Sequence, residues 1–257
     1  MHSFGLYSQY YDLFYQDKDY SAEADYVCSL LQKYSSLDPR AILELGSGTG
    51  IHAELMGRRG YSVHGVEVSA TMLAVAKGRE LICDDAVQFF QGDARSYRAG
   101  RRFDAVLSLF HVLSYQVSSE DIQGLLATAA AHLDVGGLFV FDFWYGPAVL
   151  WQRPSLRVKR LENQLVSMIR IAEPEIHEAD NLVSVNYTIF VQDRGNDVID
   201  KLQENHRMRY FFLSEIKYYL ERSGFALRVA EEWLTGALPS TETWGVLVVA
   251  EKFDKRA

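Results

Sequence analysis

Ala41-Ile42-Leu43-Glu44-Leu45-Gly46-Ser47-Gly48-Thr49-Gly50 decides how this chain is read. Ile42, Leu43 and Leu45 form a short apolar run, as expected of a strand buried on both faces. Glycines then stand at 46, 48 and 50, where they let the backbone turn sharply and come close to a ligand. Ile51 to Arg59 reads as the helix that follows. A dinucleotide fingerprint requires its third glycine where Ile51 stands. Here the spacing is G-x-G-x-G, led by the acidic Glu44.

Downstream residues give the loop its context. Tyr61 to Val68 reads as a second strand, with Glu67 near its carboxyl end, 19 residues after Gly48. An acidic side chain about 20 residues past such a loop can accept hydrogen bonds from both hydroxyls of a ribose. Ser69 is placed to cap a helix beginning at Ala70. Ala86 to Phe90 reads as a third strand and leads into Gly92-Asp93-Ala94. Asp93 there is either a plain turn residue or a carboxylate beside an adenine amino group. With Glu44, Gly46, Gly48, Gly50, Glu67 and Asp93 in register, the chain resembles the class I S-adenosylmethionine-dependent methyltransferases. The resemblance implies S-adenosylmethionine as cofactor. It also assigns Val68, Ala94, Leu109 and Phe110, which flank the strand ends, to the cofactor site.

The rest of the pattern alternates strands and helices. Phe103 to Phe110 and Leu138 to Phe143 read as buried parallel strands. Asp121 to Leu133 reads as a helix ended by Gly136-Gly137. Phe211 to Ser223 reads as an amphipathic helix with Ser214 as its cap and Gly224 as its stop. Leu227 to Trp233 and Trp244 to Ala250 read as closing strands. The expected architecture is α/β: a doubly wound, mostly parallel seven-stranded sheet of Rossmann-like type, with ligands at the strands' carboxyl ends. Residues 155 to 210 break the alternation. Val183, Val185, Tyr187, Ile189 and Val191 alternate with Ser184, Asn186, Thr188 and Phe190, a period of two typical of an antiparallel strand with one wet face. Asp193-Arg194-Gly195-Asn196-Asp197 is a hairpin signal. The expected division is a cofactor domain over 1–150 and 211–257, its first 36 residues an aromatic lid, and a small antiparallel β-sheet inserted over 151–210. The insert would roof the active site or form a dimer face.

Composition bounds the function. The chain has 257 residues, 48% of them hydrophobic, which suits one domain with an insertion. Its net charge is −8 and its pI about 5.4, which argues against nucleic acid, whose phosphates demand clustered Lys and Arg. The start, Met-His-Ser-Phe-Gly-Leu-Tyr, shows no signal-peptide pattern, and no apolar window is long enough to span a membrane. The cytoplasm is the expected compartment. Cys28 and Cys83 have no metal-like spacing, and the seven histidines form no zinc motif. No metal site is expected.

Tyr7, Tyr10, Tyr11, Phe14 and Tyr15 fall at helical spacing, with Tyr20 after them. They form either a packing stripe or a lid whose ring faces attract a sulfonium cation. His52 is either a solvent-facing first-turn residue or a donor toward the cofactor's methionine part. Further resemblance narrows the family. It lies in Tyr11-Asp12-Leu13-Phe14-Tyr15, Asp19-Tyr20 with Glu23-Ala24, Gly48-Thr49-Gly50-Ile51-His52, Gly92-Asp93, Phe110 to Tyr115, and Asp142-Phe143-Trp144-Tyr145 with Pro147. These stretches resemble the enzymes that N-methylate nucleotide-linked amino sugars. The resemblance implies cofactor contact by Tyr11 and Tyr20, a sugar-nucleotide acceptor near Tyr115 and Trp144, and an inserted antiparallel sheet. It weakens at Leu238 to Thr243, where the sugar enzymes carry a Gly-rich, Arg-containing loop. The Asn/Asp-Pro-Pro-aromatic motif of base-methylating enzymes is absent after the fourth strand. Transfer to a neutral amine is an in-line displacement in which alignment is the protein's main contribution. His111 and Tyr115 are candidates to orient the amine or accept its proton late. The alternatives are another small-molecule methylase, acting on oxygen or on a glycine-type nitrogen, and a non-catalytic cofactor-binding regulator.

Overall fold

The computed structural model describes residues 10–36, 38–79, 86–195 and 198–254. Its strands are β1 (Ala41–Leu45), β2 (Ser62–Glu67), β3 (Val87–Gln91), β4 (Phe103–Ser108), β5 (Leu133–Tyr145), β6 (Arg157–Glu162), β7 (Val166–His177), β8 (Leu182–Asp193), β9 (Ile199–Phe211), β10 (Phe225–Glu232) and β11 (Gly245–Lys252). Its α-helices are α1 (Tyr11–Phe14), α2 (Tyr20–Tyr34), α3 (Ile51–Arg58), α4 (Ala70–Lys77), α5 (Ser119–His132), α6 (Gly146–Gln152) and α7 (Leu213–Ser223). The apolar run around Ile42 is β1, and it lies inside the sheet between β2 and β4.

The main sheet runs β3-β2-β1-β4-β5-β11-β10, with β11 antiparallel to both its neighbours. It is the doubly wound, mostly parallel α/β sheet expected. Both faces are covered because neighbouring residues of each strand face opposite cores. Leu43 and Leu45 pack with Phe139 and Phe141 toward α5 and α7. Ile42 packs with Val63, Leu107 and Val140 toward α2 and α3. That two-sided burial is why β1 reads as continuous apolar residues rather than an alternation.

Three local expectations are corrected. Helix α5 stops at His132, because Leu133 is already extended and buried. Gly136 and Gly137 lie inside β5 rather than at a helix end. Gly136 has φ +88°, and the ladder passes from the pair Phe103–Leu133 to Ala105–Leu138, so the glycines absorb extra residues in a bulge. Ser214 is not the cap of α7. Phe212 holds that position and no side chain caps the helix, so its start rests on packing.

Strands β6 to β9 form an antiparallel ladder. Val183, Ile189 and Val191 on β8 are buried while Asn186 is exposed, as the period-two pattern predicts. The β8–β9 connection is a hairpin, with Asp193 N–H donating to the Val198 carbonyl. Asn196 and Asp197 of the hairpin signal lie outside the described residues, as do Tyr7 and Cys83. The ladder is not a separate sheet. Trp144 and Tyr145 at the end of β5 pair in parallel with Tyr210 and Phe211 of β9, which makes one eleven-stranded sheet. No described helix is long and apolar enough to cross a membrane.

One buried histidine gives this sheet a pH dependence. The His64 ring on β2 stacks on Phe90 at 3.9 Å, and its Nε2 lies 2.6 Å from the Tyr97 hydroxyl. Burial, with Arg101 nearby, lowers its pKa to about 4. An unfolded histidine titrates near about 6.5. The unfolded chain therefore takes up the proton first as pH falls, and stability drops between those two values. The midpoint of thermal unfolding should fall over that window, less steeply in His64→Gln. Equal slopes in the two proteins rule out His64 as the source.

Candidate active site

The turn after β1 is built from left-handed backbone. Gly46, Gly48 and Gly50 have φ of +79°, +56° and +82°. A Cβ on Gly46 would sit 2.6 Å from Val112, and one on Gly50 would sit 2.6 Å from Phe89. Gly48 differs: a Cβ there meets only the Met72 sulfur, at 3.8 Å. Packing therefore demands the outer two glycines, while the middle one leaves room beside the backbone. That room opens on a cleft of about 550 Å³ at the carboxyl ends of the strands.

Glu67 stands at the end of β2 and lines this cleft. Its carboxylate accepts from the Gly48 and Ser69 backbone N–H groups, each at 2.8 Å. Burial raises its pKa and these backbone donors oppose the rise. Asp93 and Ala94 line the same wall, with Gly46, Gly48, Val68, Leu109 and Phe110. Arg95 grips the Asp93 carboxylate at 2.5–3.1 Å and also reaches Asp121 at 2.5 Å. This pairing lowers the Asp93 pKa.

The opposite wall grows from the segment after β4. Phe110 and His111 both have positive φ, 62° and 64°, a conformation that costs about 1–2 kcal/mol per residue. Asp142 on β5 holds the turn: the His111 backbone N–H donates to both carboxylate oxygens at 3.1 Å, and His111 Nδ1 lies 2.6 Å from Oδ2. A 3-10 turn over Val112–Tyr115 follows. The Trp144 N–H donates to Ser114 Oγ at 3.0 Å, so Trp144 is fixed to that turn. His111, Tyr115 and Trp144 all line the cleft. Burial holds the Tyr115 hydroxyl well above its ordinary pKa, with Tyr15, Tyr187, Glu204 and Glu67 adding to the rise. Its hydroxyl lies 2.8 Å from Nδ1 of His206, whose Nε2 lies 2.9 Å from Glu204.

The N-terminal aromatic stripe divides between its two readings. Phe14 is fully buried against Met168, Ile189 and Val191 of the β6–β9 ladder. Tyr11 and Tyr15, with ring centroids 4.8 Å apart, line the cleft beside Phe110. Asp12 ties the segment to the glycine turn: it accepts from the Thr49 hydroxyl at 2.6 Å and pairs with Arg79.

Four expected cofactor residues stand behind the cleft wall rather than on it. Glu44 on β1 is 2% exposed, with its Oε2 unpartnered. Burial and the neighbouring Glu67 charge push its pKa up to about 8. Gly50 is the left-handed cap of α3, packed on Phe89. His52 faces α2, where its Nε2 donates to Glu23 at 2.8 Å. Glu23 also lies 2.8 Å from Lys18 and accepts from Trp233 at 3.1 Å. Tyr20 stands edge-on to His52 at 5.1 Å. These side chains form a buried polar plug under the start of α2, and burial lowers the pKa of His52.

Sequence reading missed Tyr187, His206 and Met208, which line the cleft from the inserted ladder, and Asp142 behind it. The three ladder residues stand at alternating strand positions with no motif around them. Only their inward register reveals them.

A family model described as a methyltransferase domain matches residues 42–137. The dTDP-3-amino-3,4,6-trideoxy-alpha-D-glucopyranose N,N-dimethyltransferase of Streptomyces venezuelae is 36% identical over 139 residues. That match spans 53% of this chain and 56% of the relative, a little over half its length. The dTDP-3-amino-3,6-dideoxy-alpha-D-glucopyranose N,N-dimethyltransferase of Streptomyces fradiae is 28% identical over 236 residues, 90% of this chain and 87% of that one. Among solved structures, DesVI of Streptomyces venezuelae superposes with a TM-score of 0.80 at 25% identity, covering 96% of this chain and 98% of its own.

Proposed function

We propose that this chain transfers a methyl group from S-adenosylmethionine to the amine of a nucleotide-linked amino sugar. One observation carries the reading: a single cleft joins the Gly46–Gly50 turn and Glu67 to an aromatic wall that includes residues of the inserted ladder. The two relatives above, both N,N-dimethyltransferases of dTDP-linked amino sugars, support this acceptor class.

The residues present fit the cofactor. The open side of Gly48 admits a ligand against the backbone, and Glu67 sits at the same point, where it would hold the ribose hydroxyls. Asp93, Ala94, Leu109 and Phe110 would flank the adenine, while Tyr11, Tyr15 and Phe110 turn aromatic rings toward the cleft, suited to a cation. Bound there, the sulfonium supplies an activated methyl group. The chain's own residues align the amine. Trp144 and Tyr115 wall the acceptor side, and His111 is held by Asp142 at the boundary between the two halves. Good alignment is worth on the order of 7–11 kcal/mol. A strong base is not required for an amine that is already neutral.

A panel of amino-sugar nucleotides incubated with S-adenosylmethionine and read by mass spectrometry tests the assignment. Added methyl mass on an amine is expected. Transfer only to hydroxyl or carboxylate acceptors, with every amino sugar inert, overturns the acceptor and keeps the cofactor. Binding without any turnover favours a regulator.

Residues 10–20 are expected to protect against hydrogen exchange when S-adenosylhomocysteine is added, because Tyr11 and Tyr15 line the cleft and Asp12 is tied to the glycine turn. Equal protection with and without ligand makes the segment a fixed packing element.

A further inference from the structure

Tyr115, His206 and Glu204 form a chain that leads away from the cleft. Tyr115 Oη lies 2.8 Å from His206 Nδ1, and His206 Nε2 lies 2.9 Å from a Glu204 carboxylate oxygen. His206 is 3% exposed, and the Glu204 side chain is 10% exposed. The Tyr187 ring stands edge-on to His206 at 5.0 Å and walls it off. Glu204, His206 and Met208 share one face of β9, because strand side chains alternate.

Donor and acceptor roles follow from this geometry. An ionised carboxylate only accepts, so the neutral imidazole carries its hydrogen on Nε2, facing Glu204. Nδ1 is then a lone pair, and the Tyr115 hydroxyl donates to it. Tyr115 lines the cleft, and a phenol oxygen that donates its hydrogen still has lone-pair capacity to accept from an acceptor N–H. A carboxylate that orients a histidine and stabilises its charged form is a recurrent arrangement in proton transfer.

We propose that Glu204 and His206 form a proton relay behind Tyr115 that lets the same amine be methylated a second time without leaving the cleft; this rests on the amino-sugar reading above. A single transfer needs no base, since the ammonium product can leave as it is. A second transfer needs S-adenosylhomocysteine exchanged for a fresh S-adenosylmethionine, and it needs the lone pair restored. The methylated ammonium gives its proton to Tyr115 Oη as the phenol's own proton passes to His206 Nδ1. The result is a neutral secondary amine, a neutral Tyr115 and an imidazolium paired with Glu204. The proton then leaves by way of Glu204, the more exposed of the two side chains. Tyr115 is the group that touches the acceptor; His206 and Glu204 act through it.

Two measurements test the relay. In the wild-type protein, nitrogen NMR at neutral pH should find the His206 hydrogen on Nε2 with Nδ1 bare; a hydrogen on Nδ1 with Nε2 bare overturns the relay. On an amino-sugar nucleotide, His206→Gln and Glu204→Gln should each accumulate the monomethyl product. The ratio of dimethyl to monomethyl should fall at least about 10-fold, whatever the rate of the first transfer. Gln at 206 can accept from Tyr115 but cannot take its proton, and Glu204→Gln is a second, size-matched variant should the first not fold. Unchanged ratios in folded variants, beside a wild type that dimethylates, sink the relay and leave the acceptor assignment standing. A wild type inert toward every amine overturns the assignment and the relay with it.

Discussion

Glu67→Ala is expected to weaken binding of S-adenosylhomocysteine by about 1–3 kcal/mol, the range for losing charge-assisted hydrogen bonds to a ribose. The loss should lie toward the upper end. The same carboxylate accepts from Gly48 and Ser69 N–H, so its removal also frees the turn that the cofactor must approach. Glu67→Gln separates the two contributions: an amide oxygen can still accept one backbone N–H, whereas the charge on the ribose side is gone. Calorimetry should rank wild type above Gln and Gln above Ala. Unchanged affinity in the alanine variant removes Glu67 from the site, and with it the assignment of the β2 end to the ribose.

Tyr115→Phe should lower turnover by about 10- to 100-fold, as expected when a residue aligns the reacting amine without supplying most of the driving force. The hydroxyl lies 2.8 Å from His206 Nδ1, so its removal also leaves that nitrogen without this donor. Single-turnover measurement on an amino-sugar nucleotide isolates the chemical step from product release. A rate equal to wild type takes Tyr115 out of the reaction. Complete loss makes it an essential acid or base and gives proton transfer a larger share of the barrier than alignment.

The cofactor half was legible because backbone geometry forces particular residues there. Glycine at positive φ, an acid at a strand end and a Gly-Asp turn leave marks at fixed spacings, and Gly46, Gly48, Glu67 and Asp93 all meet at one cleft. Glu44 and His52 share that stretch of sequence, yet face the interior. Proximity along the chain does not say which side of a strand or helix a residue presents. On the opposite wall, resemblance alone had singled out Tyr115 and Trp144, and both line the same cleft. His206 escaped because its place at the cleft depends on pairing across a ladder whose register no local pattern encodes. The end of α5 was misplaced for a related reason: a glycine pair that commonly stops a helix here forms a bulge inside β5.

The two-residue junction between β5 and β9 has an evolutionary consequence. Trp144 pairs with Tyr210 and Tyr145 with Phe211, so the ladder carrying His206 is indexed to the strand carrying Trp144. Side chains alternate along β9, so the cleft-lining positions 206 and 208 can change identity, and with them the shape of the cleft, while the strand's hydrogen bonds stay as they are. Insertion of one residue between 206 and 210 would be a different event. It would turn His206 and Glu204 to the other face together. The lining of the cleft can therefore drift by substitution on one strand while the glycine turn stays constant, and changes in chain length near that junction should be selected against.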